Sequence, residues 1–145
     1  MKISFSKYIG IPYKDLGRTF SGCDCYGIVA LFYKEELNIN LPDFNELIYP
    51  KDRHNIKDKD DHILFSKNIE WIKDGKYKLF DGLIFNGNTD CTLTNHIGLY
   101  INNEKFIHVS NDSASMISKL DTPFWKNKLY GIMRYKGIIN VKSNL

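Results

Sequence analysis

Cys25 stands where a polar, glycine-containing segment gives way to an apolar one, within the run 22–29 (GCDCYGIV). Apolar residues then recur at helical spacing as far as Leu37, and Asp24 is a candidate N-cap, so the cysteine falls at a helix start. The helix dipole and the unpaired backbone N–H groups there favour the thiolate, which is the reactive form of a thiol. Cys25 is therefore a candidate nucleophile, provided that a histidine reaches it.

Two histidines, His96 and His108, lie on neighbouring strand candidates. Aliphatic residues occupy the alternate positions of both strands, so both imidazoles fall on the opposite face. A three-residue loop over 102–104 pairs Leu99 with Ile107 and makes the histidines diagonal neighbours, about 7–8 Å apart between Cα atoms. A loop one residue shorter or longer would put them on opposite faces. We therefore expect the two imidazoles to meet.

These three residues predict nucleophilic catalysis. Cys25 would attack a carbonyl carbon, and His96 would take the thiol proton and then protonate the leaving amine. His108 would hold the His96 ring in its working orientation, as the third member of a triad does. A zinc site that adds Cys23 is the metal alternative. Its Cys-x-Cys spacing is not the usual Cys-x₂₋₄-Cys knuckle, so we expect neither a metal nor a cofactor.

The elements that must position these residues predict an α+β domain, with helices first and strands later. One helix is expected from Asp24 to about Leu37, and a second from about Asp61 to Asp74, with Gly75 as its C-cap candidate. After that point the apolar period changes from 3.6 to 2, which predicts strands. The expected strands are Lys78–Phe85, His96–Ile101, Lys105–Ser110, Ser115–Ile117, Leu129–Tyr135 and a short one near Ile138–Val141.

Composition narrows the class of protein. The 145 residues suit one ordinary domain, and a content of 43% hydrophobic and 14% aromatic residues predicts a folded globule. A net charge of +3 without a long Lys/Arg block argues against a nucleic-acid partner. No stretch approaches about 18 apolar residues, so no membrane span is expected. Residues 1–7 lack the apolar run of a signal peptide, and three cysteines do not indicate a disulfide framework.

The motifs around these residues resemble those of the NlpC-type cysteine peptidases, a papain-like family that cuts cell-wall peptides. Residues 24–29 (DCYGIV) resemble its Asp-Cys-Ser-Gly-(Leu/Phe)-Val nucleophile motif. Residues 81–85 (DGLIF) resemble its Gly-Asp-Leu-(Val/Ile)-Phe strand with Gly and Asp exchanged, and 96–100 (HIGLY) its His-(Val/Ile)-Gly-Ile-Tyr strand. His108 falls where the family places its third, polar catalytic residue, and Tyr13 matches a tyrosine that the family uses near the oxyanion hole.

The N-terminal part resembles the branch of this family that is encoded in phage tail modules. The resemblance there lies in 8–13 (YIGIPY), 17–20 (GRTF), 22–27 (GCDCYG) and 41–44 (LPDF). It implies a papain-like NlpC-type α+β fold, in which N-terminal helices, including the nucleophile helix, pack on an antiparallel β-sheet. We expect a single NlpC-type peptidase domain over residues 1–145.

The resemblance also implies an activity. The substrate would be an amide bond in a bacterial peptidoglycan stem peptide, often that between D-glutamate and the diamino acid, cut through an acyl-enzyme. The backbone N–H of Cys25 and the hydroxyl of Tyr13 would meet the oxyanion. Asp24 and Tyr26 are the expected substrate-binding residues. Tyr26 stands where the family has Ser, and its ring would reshape the subsite that takes a free stem-peptide amine.

The same branch suggests a setting. We expect a protein made in the bacterial cytoplasm that acts from a phage tail or a tail-like particle, with tail-tip proteins as candidate partners. Two alternatives stay open: a structural tail-tip or plug protein that keeps the fold without the activity, and a papain-like enzyme with a substrate outside the cell wall. The intact set of Cys25, His96 and His108 argues against the structural alternative.

Overall fold

A computed structural model describes residues 3–41, 69–72, 76–86, 94–110 and 113–136. Within these ranges neither helix has the length or the apolar character that crossing a membrane needs. The regular elements, in chain order, are a 3₁₀ turn at Ser6–Tyr8, β1 (Arg18–Thr19), β2 (Gly22–Cys23), α1 (Cys25–Leu37), β3 (Ile69–Ile72), β4 (Gly82–Asn86), β5 (Thr94–Tyr100), β6 (Lys105–Ser110), β7 (Ser113–Lys119), α2 (Pro123–Lys126) and β8 (Leu129–Tyr135).

The framework of the fold is a six-stranded sheet in the order β3-β8-β4-β5-β6-β7. Every pairing in this sheet is antiparallel. A separate two-stranded ribbon of β1 and β2 leads directly into α1, which packs on β5 and β6. The expected α+β class, with a nucleophile helix on an antiparallel sheet, is confirmed.

Local sequence signals set both ends of α1. Asp24 has an extended backbone, and its Oδ1 accepts the backbone N–H of Gly27 at 2.7 Å, which confirms it as the N-cap. The helix ends at Leu37, and its C-cap, Asn38, adopts a left-handed conformation with φ of 55°. Gly27 packs so closely that a Cβ there would lie 1.9 Å from the carbonyl oxygen of Gly17, so only glycine fits.

The sheet separates two apolar clusters. Ile97, Leu99 and Ile107 point from β5 and β6 into the cluster that contains α1. Tyr100 and Phe106 point into the cluster on the opposite face. The alternation predicted for these two strands is therefore confirmed, with His96 and His108 at the positions that alternate with these aliphatic residues.

The second helix expected over Asp61–Asp74 is not formed at residues 69–72, the part of this range that the structure describes. Residues 69–72 form β3, which pairs antiparallel with β8, from Ile69 opposite Tyr135 to Ile72 opposite Ile132. The spacing of two isoleucines three positions apart fits a helix, but this short segment pairs with a strand far along the chain. The rest of the expected helix lies outside the described residues.

The later strands agree better with expectation. The strands Lys105–Ser110 and Leu129–Tyr135 are confirmed residue for residue. The strand expected from Lys78 begins only at Gly82, because residues 78–81 form a turn in which Phe80 has a φ of 74°. The turn is closed by a hydrogen bond from the Asp81 N–H to the Lys78 carbonyl.

Two strands are displaced at their ends, and one cannot be compared. β5 runs from Thr94 to Tyr100 and so begins two residues earlier than expected. β7 extends over Ser113–Lys119, beyond the expected Ser115–Ile117 on both sides. The strand expected near 138–141 lies outside the described residues.

Candidate active site

Cys25 is the first residue of α1, as predicted from the sequence. Its side chain is buried, with 7% of its surface exposed, at the end of the helix where the dipole favours a thiolate. The helix packs on β5, the strand that carries His96. The position of Cys25 therefore suits a nucleophile that is sheltered from bulk solvent.

Hydrogen bonds within the chain engage both carboxylate oxygens of Asp24. Oδ1 accepts the N–H of Gly27 and a guanidinium N–H of Arg18, at 2.7 and 2.8 Å. Oδ2 accepts the N–H of Leu16 at 3.0 Å. The residue is 0% exposed, so its charge stabilises the start of α1 and anchors the loop before it. A substrate ammonium would have to displace Arg18 to reach this carboxylate; substrate binding by Asp24 stays a prediction.

Tyr26 lies in the interior, with only 4% of its surface exposed. The guanidinium carbon of Arg18 lies 5.3 Å from the centre of its ring, within the range of a cation–π contact. The ring and Asp24 thus hold Arg18 between them. Tyr26 thus contacts Arg18, a residue that the sequence motifs did not indicate; substrate binding by Tyr26 stays a prediction.

Tyr13 is placed beside β2 by backbone hydrogen bonds. It forms a parallel bridge with Cys23, in which the neighbouring Lys14 N–H donates to the Cys23 carbonyl at 3.0 Å. Its hydroxyl points along its own loop and lies 3.5 Å from Oδ1 of Asp15. This bridge brings the loop of Tyr13 next to the residue two positions before Cys25. The role of Tyr13 at an oxyanion hole stays a prediction.

The two histidines contact each other directly. The β5–β6 register pairs Leu99 with Ile107, and the three loop residues 102–104 all have positive φ. His96 Nε2 and His108 Nδ1 lie 2.9 Å apart, with the ring planes at 80°. The predicted register, loop and imidazole contact are thereby confirmed.

His108 is enclosed on every side by the protein and is 4% exposed. Its ring centre lies 4.7 Å from that of Phe106 and 4.9 Å from that of Trp125. Its Nε2 lies 2.7 Å from the Ser118 Oγ. Burial lowers the pKa of His108 to about 4, because the apolar surroundings disfavour the charged imidazolium. His108 is therefore neutral at neutral pH.

The buried His108 should make the protein less stable in mild acid. The unfolded chain takes up a proton on this imidazole near pH 6.5, whereas the folded chain does so only near pH 4. The unfolded state binds more protons in this window, so the free energy of unfolding falls by up to about 3 kcal/mol as the pH drops through it. Denaturant unfolding between pH 4 and 7 measures the fall. His108→Gln should give a flatter profile, and an unchanged profile would contradict the prediction.

Two residues of this cluster were not predicted. Ser118 lies on β7 opposite Phe106, just beyond the strand that the sequence indicated. Trp125 lies on α2 and stacks on His96 with 5.8 Å between ring centres and an interplanar angle of 27°. The register between β6 and β7 shifts between His108 and Ser110, so strand alternation alone does not point to Ser118. For Trp125 the sequence offered one signal, Pro123, because proline is common at the first position of a helix.

Cys23 differs from Cys25 in its surroundings. It is 0% exposed, and its thiol donates to the Thr19 carbonyl oxygen at 3.1 Å. Burial raises the pKa of Cys23 to about 11, which keeps it as an unreactive thiol. Among the residues that the structure describes, no three His, Cys, Asp or Glu side chains are grouped so as to hold a metal ion.

Comparisons with known proteins indicate the family of this chain. The model of the family described as NlpC/P60 matches residues 10–134. The chain is 30% identical over 146 residues to the gamma-DL-glutamyl hydrolase of Bacillus subtilis (strain 168), covering 95% of this chain and 29% of that protein. It is 27% identical over 124 residues to the murein DD-endopeptidase MepS/murein LD-carboxypeptidase of Escherichia coli (strain K12), covering 86% of this chain and 55% of that protein.

Among solved structures, the fold is similar to that of an NlpC/P60 family protein from Bacillus cereus ATCC 10987. The TM-score is 0.61 at 21% identity, and the match covers 88% of this chain and 36% of that one. This likeness concerns the fold alone. The chain spans about a third to a half of the length of these three proteins, and the single domain expected over residues 1–145 stays a prediction.

Proposed function

The chain belongs to the NlpC/P60 family of cysteine-type peptidases, and on that premise we propose that it hydrolyses an amide bond in the stem peptides of bacterial peptidoglycan, with Cys25 as the nucleophile. The observation that carries the proposal is the hydrogen-bonded pair of His96 and His108 on the sheet against which the helix of Cys25 packs. A cysteine at a helix start and a histidine oriented by a second polar group are the parts that thiol-based acyl transfer needs.

The first half of the reaction forms an acyl-enzyme. The Nε2 of His96 is directed to His108, so Nδ1 is the ring nitrogen that receives the proton of Cys25. The thiolate then attacks the carbonyl carbon, and the oxyanion meets the backbone N–H of Cys25 and the hydroxyl of Tyr13. When the C–N bond breaks, the imidazolium of His96 returns its proton to the leaving amine, which leaves a thioester.

The second half restores the enzyme. Water attacks the thioester carbonyl while His96 takes one of its protons, and the proton then passes to the departing Cys25 thiolate. The products are a carboxylic acid and an amine, and no oxidant or cofactor enters the balance. His108 stays neutral throughout, since its burial disfavours a charge.

We place the cut at the bond between D-glutamate and the diamino acid of the stem peptide. The name of the Bacillus subtilis relative, gamma-DL-glutamyl hydrolase, supports this choice. The name of the Escherichia coli relative, a murein DD-endopeptidase and LD-carboxypeptidase, indicates a different bond in murein. The bond is therefore the part of the proposal on which an experiment must decide.

We also propose a setting, in which the protein is made in the bacterial cytoplasm and acts from a phage tail or a tail-like particle. The support is the resemblance of segments 8–13, 17–20, 22–27 and 41–44 to family members encoded in phage tail modules. Tail-tip proteins would then be its partners.

Defined muropeptides test the reaction. The purified protein is incubated with monomeric stem peptides and with cross-linked dimers, and the products are identified by mass. We expect monomers to be split between D-glutamate and the diamino acid. Cleavage confined to the cross-links of the dimers would move the cut to the other bond. An intact substrate set would overturn the proposed activity and favour the structural tail-tip protein.

A further inference from the structure

The histidine pair continues into a third polar side chain. His96 Nε2 lies 2.9 Å from His108 Nδ1, and His108 Nε2 lies 2.7 Å from the Ser118 Oγ. The three side chains come from the adjacent strands β5, β6 and β7, and they form one continuous hydrogen-bonded row. The outer end of the row, Ser118, takes no part in the reaction steps given above.

The proton positions along this row are coupled. A neutral imidazole carries one N–H, so His108 donates from either Nε2 or Nδ1 but not from both. With the proton on Nε2, Ser118 Oγ is the acceptor and Nδ1 accepts from His96. With the proton on Nδ1, the hydroxyl of Ser118 donates instead, and His96 Nε2 becomes an acceptor. The hydroxyl is able to play either part.

The charged state of the site permits only one of these arrangements. Once His96 has taken the proton of Cys25, both of its ring nitrogens carry N–H, so its Nε2 must donate to His108 Nδ1. His108 then holds its own proton on Nε2 and needs an acceptor there. Ser118 is the side chain at hydrogen-bond distance from that atom.

In the other arrangement His96 is the wrong base. If His108 donates from Nδ1, the neutral His96 carries its proton on Nδ1, the atom that must receive the proton of Cys25. The hydroxyl of Ser118 thus decides, two hydrogen bonds away, which nitrogen of His96 is basic. A catalytic histidine that is held in the wrong tautomer loses most of its catalytic rate.

We infer that Ser118 is a positioning residue, whose hydroxyl accepts the Nε2 proton of His108 and thereby keeps Nδ1 of His96 unprotonated before attack. The inference rests on the proposed function for its role in the reaction. The described contacts of His108 include His96 from β5, Phe106 from β6, Ser118 from β7 and Trp125 from α2, and His96 is the titratable group among them.

Nuclear magnetic resonance of ¹⁵N-labelled histidine tests the tautomer without any substrate. Wild-type protein should show His108 as the Nε2–H form. Ser118→Val should shift His108 toward the Nδ1–H form, because Nε2–H would then lack its acceptor. Ser118→Thr is the matched variant, nearly the same in shape as valine but with the hydroxyl, and it should keep the wild-type tautomer. An Nδ1–H form in the wild type, or the same tautomer in Val and Thr variants, would overturn the inference.

Kinetics supply the second readout. Ser118→Val and Ser118→Ala should lower kcat by about 10- to 100-fold with little change in KM, since a buried donor is left unpaired only in the charged state. Ser118→Thr should restore the rate, and Ser113→Ala, on the same strand but bonded to Ser110, should leave it unchanged. Equal rates for the Val and Thr variants would contradict a role in catalysis. An inactive wild type would instead count against the proposed function, while the resonance measurement would still decide the tautomer.

Discussion

Replacing Cys25 with alanine is expected to abolish stem-peptide hydrolysis, with a loss on the order of 10⁴-fold or more, while the protein stays folded. The reason is that alanine has no thiol with which to attack the carbonyl carbon and form the thioester. The cost to stability should be small, about 1 kcal/mol, because alanine suits the first turn of a helix and only a sulfur atom is lost. Product masses from defined muropeptides measure the activity, and circular dichroism with denaturant unfolding measures the fold.

Cys23 provides the matched control for this change. It lies two residues away, it is fully buried, and its thiol donates to the Thr19 carbonyl. Cys23→Ala should therefore keep an activity within a few-fold of wild type. Turnover by the Cys25→Ala protein, or loss of activity confined to Cys23→Ala, would show that the nucleophile is wrongly assigned.

Alkylation gives the same assignment a readout that needs no substrate. Iodoacetamide reacts with thiolates, so at neutral pH it should modify Cys25 first. The raised pKa of Cys23, about 11, keeps that thiol protonated and slow to react. Peptide mapping of the labelled protein identifies the modified residue. Preferential modification of Cys23 would contradict the assignment.

The parts of the site that the sequence could predict depend on short-range rules. Asp24 caps α1 by accepting the N–H of Gly27, three residues later. An N-cap of this kind can be recognised from the sequence because both partners lie within one helical turn. The meeting of His96 and His108 follows from strand alternation and from a loop of three residues between their strands. In each case the deciding partners are close along the chain.

Features that were missed depend on distant partners. β3 pairs with β8, more than 50 residues later, and its isoleucines alone fitted a helix equally well. Arg18 acquires its importance only because the fold places it between Asp24 and the ring of Tyr26. Nothing in the residue type itself distinguishes Arg18 from the other arginines of the sequence.

Ser118 shows the same limit within the site. Its position next to His108 depends on the register between β6 and β7, which shifts between His108 and Ser110 without a signal in the strand pattern. Trp125 stacks on His96 because α2 returns over the sheet. The sequence therefore indicated the reacting residues, whereas the residues that enclose and orient them required the tertiary structure.

Replacing Asp81 with alanine is expected to lower the free energy of unfolding by about 3–5 kcal/mol, because it leaves the guanidinium of the partly buried Arg134 without its carboxylate partner. The side chain of Asp81 is 2% exposed and that of Arg134 is 16% exposed. Arg134 Nε donates to Asp81 Oδ1 at 2.9 Å and its Nη2 donates to Oδ2 at 2.7 Å, a bidentate pair. This pair raises the pKa of Arg134, so the guanidinium stays charged after the substitution. Urea unfolding at pH 7 measures the loss.

The pair also ties the turn before β4 to β8. Asp81 Oδ2 accepts the Lys78 N–H at 2.6 Å, and Arg134 Nη2 donates to the Lys76 carbonyl at 3.0 Å. Arg134→Lys keeps the charge but not the planar fork, so it should also destabilise the protein, although by less than Asp81→Ala. Equal stability of the lysine variant and the wild type would show that charge alone suffices.

A double-mutant cycle separates the ion pair from the cost of an unpaired charge. Asp81→Ala with Arg134→Met removes both charges, so the double variant should be less destabilised than the sum of the two single variants. The difference arises because each single change leaves one charge unpaired in a poorly solvated site, whereas the double change removes both charges. Strictly additive losses would mean that Asp81 and Arg134 do not interact in solution. The bond between turn and strand would then have to come from the backbone contacts alone.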